Sequence, residues 1–190
     1  NTVKTGPVVL SVTARDSEGA ISDPVEVSIA VSEVNDAPVA VDDTLSDTDE
    51  DSVVLIPQSA LLDNDIDPDL LTNDNETLTV VLSTATRAFG ATLTLDSANG
   101  QIVYDPSGSL AIQALKPGEF LTDFFTYQAE DFEGLRSGFG TVSLRVDGIN
   151  DAPTVVADEV DVNENGPTVI NVLGNDRDVD GVIRESTVEF

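Results

Sequence analysis

Between residues 39 and 147 apolar residues recur at alternate positions in short runs, broken by clusters of Gly, Pro, Asn and Asp. Alternation places successive side chains on opposite sides of an extended backbone, so each run reads as a half-buried strand bounded by turns. Seven strands are predicted: Val39–Asp43, Val53–Pro57, Leu78–Ser83, Ala91–Asp96, Gln101–Asp105, Phe124–Glu130 and Gly140–Val146. The sixth sets Phe125, Tyr127 and Ala129 on one side, as the inner face of a sheet packed on a second sheet requires. No segment sustains a 3.6-residue period, and Ala60–Leu62 amounts to no more than a helical turn. Seven short strands in about 110 residues is the strand count of an immunoglobulin-like Greek-key β-sandwich. The predicted fold class is all-β.

The pattern also repeats. Asn35-Asp36-Ala37-Pro38 returns as Asn150-Asp151-Ala152-Pro153 at an offset of 115, and at the same offset Ala14-Arg15-Asp16-Ser17-Glu18-Gly19 answers Ala129-Glu130-Asp131-Phe132-Glu133-Gly134. Val27–Val31 and Val142–Val146 correspond likewise. Downstream, Leu62-Asp63-Asn64-Asp65-Ile66-Asp67-Pro68-Asp69 matches Leu173-Gly174-Asn175-Asp176-Arg177-Asp178-Val179-Asp180 at an offset of 111, with a short indel between. The spacing predicts tandem repeats of about 115 residues: one complete unit over 39–150, the last strands of a preceding unit in 1–34, and the first strands of a following unit in 154–190. The chain is thus expected to be an internal piece of a longer array whose modules stand end to end. Neither flanking piece can bury a sheet face alone, so both are expected to fray or to pair between molecules.

Composition narrows the chemistry. The net charge is −28, from 36 acidic and 8 basic residues, which excludes a partner held through phosphate neutralisation, whether nucleic acid or anionic membrane. Without Cys or His there is no thiolate or imidazole ligand, no disulfide and no Ser–His or Cys nucleophile. Oxygen donors remain, and divalent cations are the natural counter-charge. No apolar run reaches membrane-spanning length.

In a sandwich of this topology the incoming linker and the loops after the second and sixth strands share one end, here the leading end. The first loop, the loop between the fifth and sixth strands and the outgoing linker share the other, trailing end. The leading end of the complete unit gathers Glu33, Asn35, Asp36, Asp65, Asp67, Asp69 and Asp131. The trailing end gathers Glu50, Asp51, Glu119 or Asp123, Asp147, Asn150 and Asp151, faced by Asp176, Asp178 and Asp180 of the next unit. Carboxylates crowded at a joint repel unless a cation lies among them, and calcium, which accepts six to eight oxygens in loose geometry, fits better than magnesium. The loops are not EF-hands: counting from Asp65 the Gly is absent, and counting from Asp176 the closing Glu is absent. The plainer alternatives are Asx turns in the Asp-rich loops and a stiff linker at Asn-Asp-Ala-Pro.

The segments Val12–Gly19, Val27–Val31 and Asn35–Pro38 together resemble the end of a cadherin repeat and its calcium-binding linker, and the whole unit is similar to the bacterial cadherin-like, VCBS-type repeats of large secreted adhesins of the RTX type. By that resemblance Asn35, Asp36, Asn150 and Asp151 take the linker positions, Asp131 closes the sixth strand, the pairs Asp65/Asp67 and Asp176/Asp178 form the Asp motif after the second strand, and Glu50 is the first-loop glutamate. The linker lacks the second Asn of cadherins, and no Asp-Arg-Glu motif precedes the sixth strand. With Glu33 and Asp147 these residues make up the expected calcium ligand set.

The resulting expectation is a non-enzymatic, calcium-stiffened spacer or adhesion module, extracellular or on a bacterial cell surface, with neighbouring repeats and a cell-surface or glycan target as partners. The alternative is a carbohydrate- or partner-binding β-sandwich, for which two Tyr and no Trp make a poor sugar platform. Because the second joint lacks the equivalent of Asp131, calcium is expected to bind more weakly there.

Overall fold

The computed structural model describes residues 7–32, 34–71 and 77–184. A hairpin comes first, β1 (Val8–Val12) and β2 (Val25–Ile29), antiparallel and exposed along both strands. The complete unit follows with β3 (Asp43–Thr44), β4 (Thr48–Asp49), β5 (Val54–Pro57), the helical turn α1 (Ser59–Leu62), β6 (Thr79–Arg87), β7 (Thr92–Asp96), β8 (Gln101–Asp105), β9 (Phe120–Glu130) and β10 (Gly140–Asp147). One sheet has the order β3-β10-β9-β6, with β4 also on β10, and the other the order β5-β8-β7. The two sheets share one core, as an immunoglobulin-like or cadherin-like sandwich requires.

Alternation decides which side chains enter that core. Phe125, Tyr127 and Ala129 of β9 and Val142, Leu144 and Val146 of β10 are buried, and all but Ala129 share one cluster with Ile56, Ile102 and Tyr104 of the opposite sheet. Leu61 of α1 and Ile112 of the β8–β9 loop close its ends. Each such large side chain taken from water contributes about 1.5–3 kcal/mol. Residues 154–184 form no named strand, and most of their side chains are exposed.

The third strand, expected over Leu78–Ser83, runs on to Arg87 through a register shift after Leu82. Two further boundaries differ from the predicted ones for physical reasons. The first strand was expected over Val39–Asp43, yet Val39 bridges to Ile66 and Val41 N–H donates to Asp65, so this stretch lies along the loop after α1. Pairing with β10 starts at Asp43 and is split into β3 and β4. The sixth strand was expected from Phe124, but β9 begins at Phe120, because the inward position 123 carries an Asp that breaks the apolar alternation. Asp123 is buried, and it accepts the Tyr104 hydroxyl across the core at 2.8 Å.

Candidate functional site

The loops gather at the two ends as the strand order dictates. At the leading end, the turn after β9 is built on Asp131: its Oδ1 accepts the Leu135 N–H at 2.8 Å, and Gly134 closes the turn at φ 91, a conformation that suits residues without a Cβ. Asp131 Oδ2 accepts the Asn35 side-chain amide at 2.8 Å. The linker is held a second time, by the Asp36 N–H donating to Asp69 Oδ2 at 2.7 Å, while Asp69 N–H donates to Asp67 Oδ1 at 2.8 Å. Asp67, Asp69 and Asp131 are buried, and Asn35 Oδ1 is buried with no hydrogen-bond partner. Burial would raise Asp131, but the Asn35 amide and the backbone N–H groups of the turn outweigh it and hold the carboxyl below its ordinary range.

The trailing end is assembled differently. Glu50, in the turn after β4, is fully buried, and its Oε1 accepts the Ile149 N–H of the outgoing linker at 2.8 Å. The Gln113 amide donates to the Glu50 carbonyl at 2.7 Å and ties the β8–β9 loop to the same turn. Asp151 N–H donates to Asp180 Oδ2 at 3.4 Å, the counterpart of the bond from Asp36 to Asp69. Three carboxylate oxygens here are buried without a hydrogen-bond partner: Glu50 Oε2, Asp151 Oδ2 and Asp178 Oδ1. Burial first, and then the charges of Asp151, Asp51 and Asp180, push the Glu50 carboxyl up against the pull of the Ile149 N–H. Burial followed by Asp51, Asp180 and Asp178 does the same to Asp151.

The other expected ligands are placed as follows. Asp65 faces inward, where its Oδ1 accepts the Val41 N–H at 2.8 Å and the Tyr127 hydroxyl at 2.9 Å. Asp176 accepts the Val156 N–H in the same way, at 2.8 Å. Each therefore braces the stretch that follows an Asn-Asp-Ala-Pro segment. Asp147 pairs with Arg145 at 2.5 Å, and that guanidinium stacks 3.9 Å above the Phe120 ring. Asn150 is exposed and donates to the Asp151 carbonyl, since the described chain offers it no counterpart of Asp131. Glu33 lies outside the described residues. Asp69 and Asp180, placed at the two ends by the sequence but outside the expected ligand set, are the carboxylates that receive the linker N–H groups.

The oxygen-only donors suit a hard cation such as calcium, and the orphaned buried oxygens at both ends fit the same purpose. Among the described residues no three acidic side chains are gathered tightly enough to hold a metal ion by themselves. Any ion must therefore be completed by backbone or amide oxygens, or must draw the loops together.

The bacterial cadherin-like domain family matches residues 35–148. No curated protein sequence matches the chain significantly. Among solved structures, the chain is similar to the human mucin-like protocadherin EC1-2, with 20% identity, a TM-score of 0.38, and coverage of 74% of this chain and 69% of that one. Two structures of one endo-fucoidan hydrolase of glycoside hydrolase family 107, a point variant and the unsubstituted enzyme, align at 17% and 16% identity with TM-scores of 0.37 and 0.36, over 80% and 77% of this chain. The chain spans about a fifth of the length of that hydrolase, 21% and 19% in the two structures.

Proposed function

The chain belongs to the bacterial cadherin-like domain family, and we propose that it works as a calcium-binding spacer or adhesion module of a bacterial surface or secreted adhesin, with calcium at the joints between repeats. The observation that carries this reading is the set of buried, unpartnered oxygens of Glu50, Asp151 and Asp178 at one linker. Carboxylates so placed repel one another, and a divalent cation would convert that repulsion into a clamp. Residues 1–34 and 154–190 are assigned to a preceding and a following repeat. The two hairpins support that assignment: Val12 faces Val25 as Tyr127 faces Gly140, and Ser22 N–H donates to Ala14 O as Ser137 N–H does to Ala129 O.

On this reading the module has no catalytic role, and its setting is extracellular, where sites with the dissociation constants of extracellular modules, about 10⁻⁴ to 10⁻³ M, would fill. Calorimetric titration combined with thermal unfolding tests it. The melting temperature should climb with free calcium as site occupancy requires, and equal melting curves in calcium and in chelator would overturn the proposal. A groove of about 840 Å³ beside the second joint, lined by Leu110, Gln113, Leu173 and Ile183, favours a second reading, a carbohydrate- or partner-binding module. Glycan-array and pull-down binding that persists in chelator would support that reading instead.

A further inference from the structure

Resting on the calcium reading above, we infer that Tyr127 is a positioning residue for the leading joint: its hydroxyl fixes the loop that carries Asp67 and Asp69, and so sets calcium affinity at that joint and not at the other. The ring is fully buried on β9 beneath Gly140. Its Oη lies 2.9 and 3.1 Å from the two Asp65 carboxylate oxygens, 3.0 Å from the Leu61 carbonyl and 3.2 Å from the Val41 carbonyl. All four neighbours are acceptors and the hydroxyl carries a single hydrogen, so it donates to one of them at a time, and the Asp65 carboxylate is the strongest acceptor among them. That bond ties β9 to the head of the Asp-rich loop, with the end of α1 and the stretch before β3 packed against the same hydroxyl.

The connection continues to the joint in a few bonds. Asp65 takes the Val41 N–H, Ile66 pairs with Val39, Asp67 takes the Asp69 N–H, and Asp69 takes the Asp36 N–H of the linker. Groups that orient a metal ligand act on affinity through the accuracy with which the ligand is held. The second joint supplies a control within the same molecule. Its loop repeats the bond from Val156 N–H to Asp176, but the described chain gives it no tyrosine, and in the β1–β2 hairpin the position of Tyr127 is held by Val12.

The test is Tyr127→Phe, titrated with calcium while the backbone amide resonances of Asp36 and Asp151 report the two joints. The midpoint at Asp36 should move to about tenfold higher calcium, with that at Asp151 unchanged. In calcium-free protein the Val41 and Ile66 amides should exchange faster, and the Val156 amide at its native rate. Ile102→Val, in the core, should lower the melting temperature with both midpoints unchanged. Should the Phe variant fail to fold, Asp65→Ala cuts the same tie from the loop side and should give the same selective shift. A lower melting temperature with neither midpoint moved, or with both moved equally, would overturn the inference. If the native chain shows no calcium response at either joint, the calcium reading falls, and exchange at Val41 and Ile66 still decides whether Tyr127 holds the loop.

Discussion

A Cβ on Gly140 would stand 2.8 Å from Tyr127 Cε1 and 3.1 Å from the Ala40 Cβ, so the glycine and the tyrosine facing it are one decision. Gly140→Ala is therefore expected to lower stability by about 1–3 kcal/mol, measured by denaturant unfolding, because both obstructing groups are themselves packed. The hairpin β1–β2 makes the same cross-strand pair with Val12 and Val25, two medium residues in place of one large and one absent. Charge gives the second prediction at this scale. The carboxyls of Asp43, Glu50, Asp65 and Asp151 are all pushed above their ordinary range, in each case first by burial. Such a group holds its proton in the folded state where the unfolded chain has released it, so its contribution to stability is lost as pH rises through the folded pKa. Asp96 and Asp105 are lowered by the Asn99 and Ser107 side chains, and Asp131 by the bonds that outweigh its burial; their contribution is lost as pH falls through the folded pKa. In chelator, the melting temperature should thus rise as pH is lowered from about 7 towards the ordinary carboxylate range, then fall near pH 4. A melting temperature that stays level down to the ordinary carboxylate range and falls only below it would show that the three lowered carboxyls dominate.

At the scale of elements, the strands were legible wherever an apolar residue filled each inward position, as in β8 and β10. They were hidden where a polar group turned inward to meet another. Asp123 under Tyr104 concealed the first four residues of β9, and Val41 with Asp65 diverted the stretch assigned to the first strand. The acidic loops were legible as groups, since the strand order sends them to two ends, but the division of labour within each was not. Asp65 and Asp67 look alike in sequence, and the Val41 N–H and a tyrosine 62 positions away from Asp65 are what separate them. The β1–β2 hairpin supplies a prediction of its own. Val12 and Ile29 are 50% and 45% exposed, whereas their counterparts Tyr127 and Leu144 are 0% and 1% exposed. A two-stranded ribbon without a covered face is marginal in water. Amides of β1 and β2 should therefore exchange within the earliest time points, while those of β9 and β10 persist to the global unfolding limit; equal protection would show that the hairpin is covered in solution.

For the whole molecule, the two ends are complementary halves of one design if, as proposed, each is a joint between repeats. The leading joint has the Asp-rich loop and the Asp131 turn of the unit it enters, while the trailing joint has the buried glutamate turn of the unit it leaves and only the Asp178–Asp180 loop of the next. Counting the acids in the sequence favoured the leading joint, where Asp131 adds a carboxylate. The distribution of hydrogen bonds points the opposite way. At the leading joint Asp131 is already satisfied by Asn35 and by its own turn, and the unpartnered Asn35 Oδ1 is a neutral amide oxygen, whereas at the trailing joint Glu50, Asp151 and Asp178 each present a carboxylate oxygen with no hydrogen-bond partner. An ion gains most where it replaces repulsion among desolvated charges and displaces no existing bond. The trailing joint should therefore fill at lower calcium than the leading one, reported by the Asp151 and Asp36 amides in one titration. Glu50→Gln keeps an acceptor for the Ile149 N–H but removes the charge, and it should weaken the trailing joint by at least about tenfold with the leading joint unmoved. Should Asp36 respond first in the native chain, the loop acids outweigh the buried glutamate, and the order read from the sequence stands.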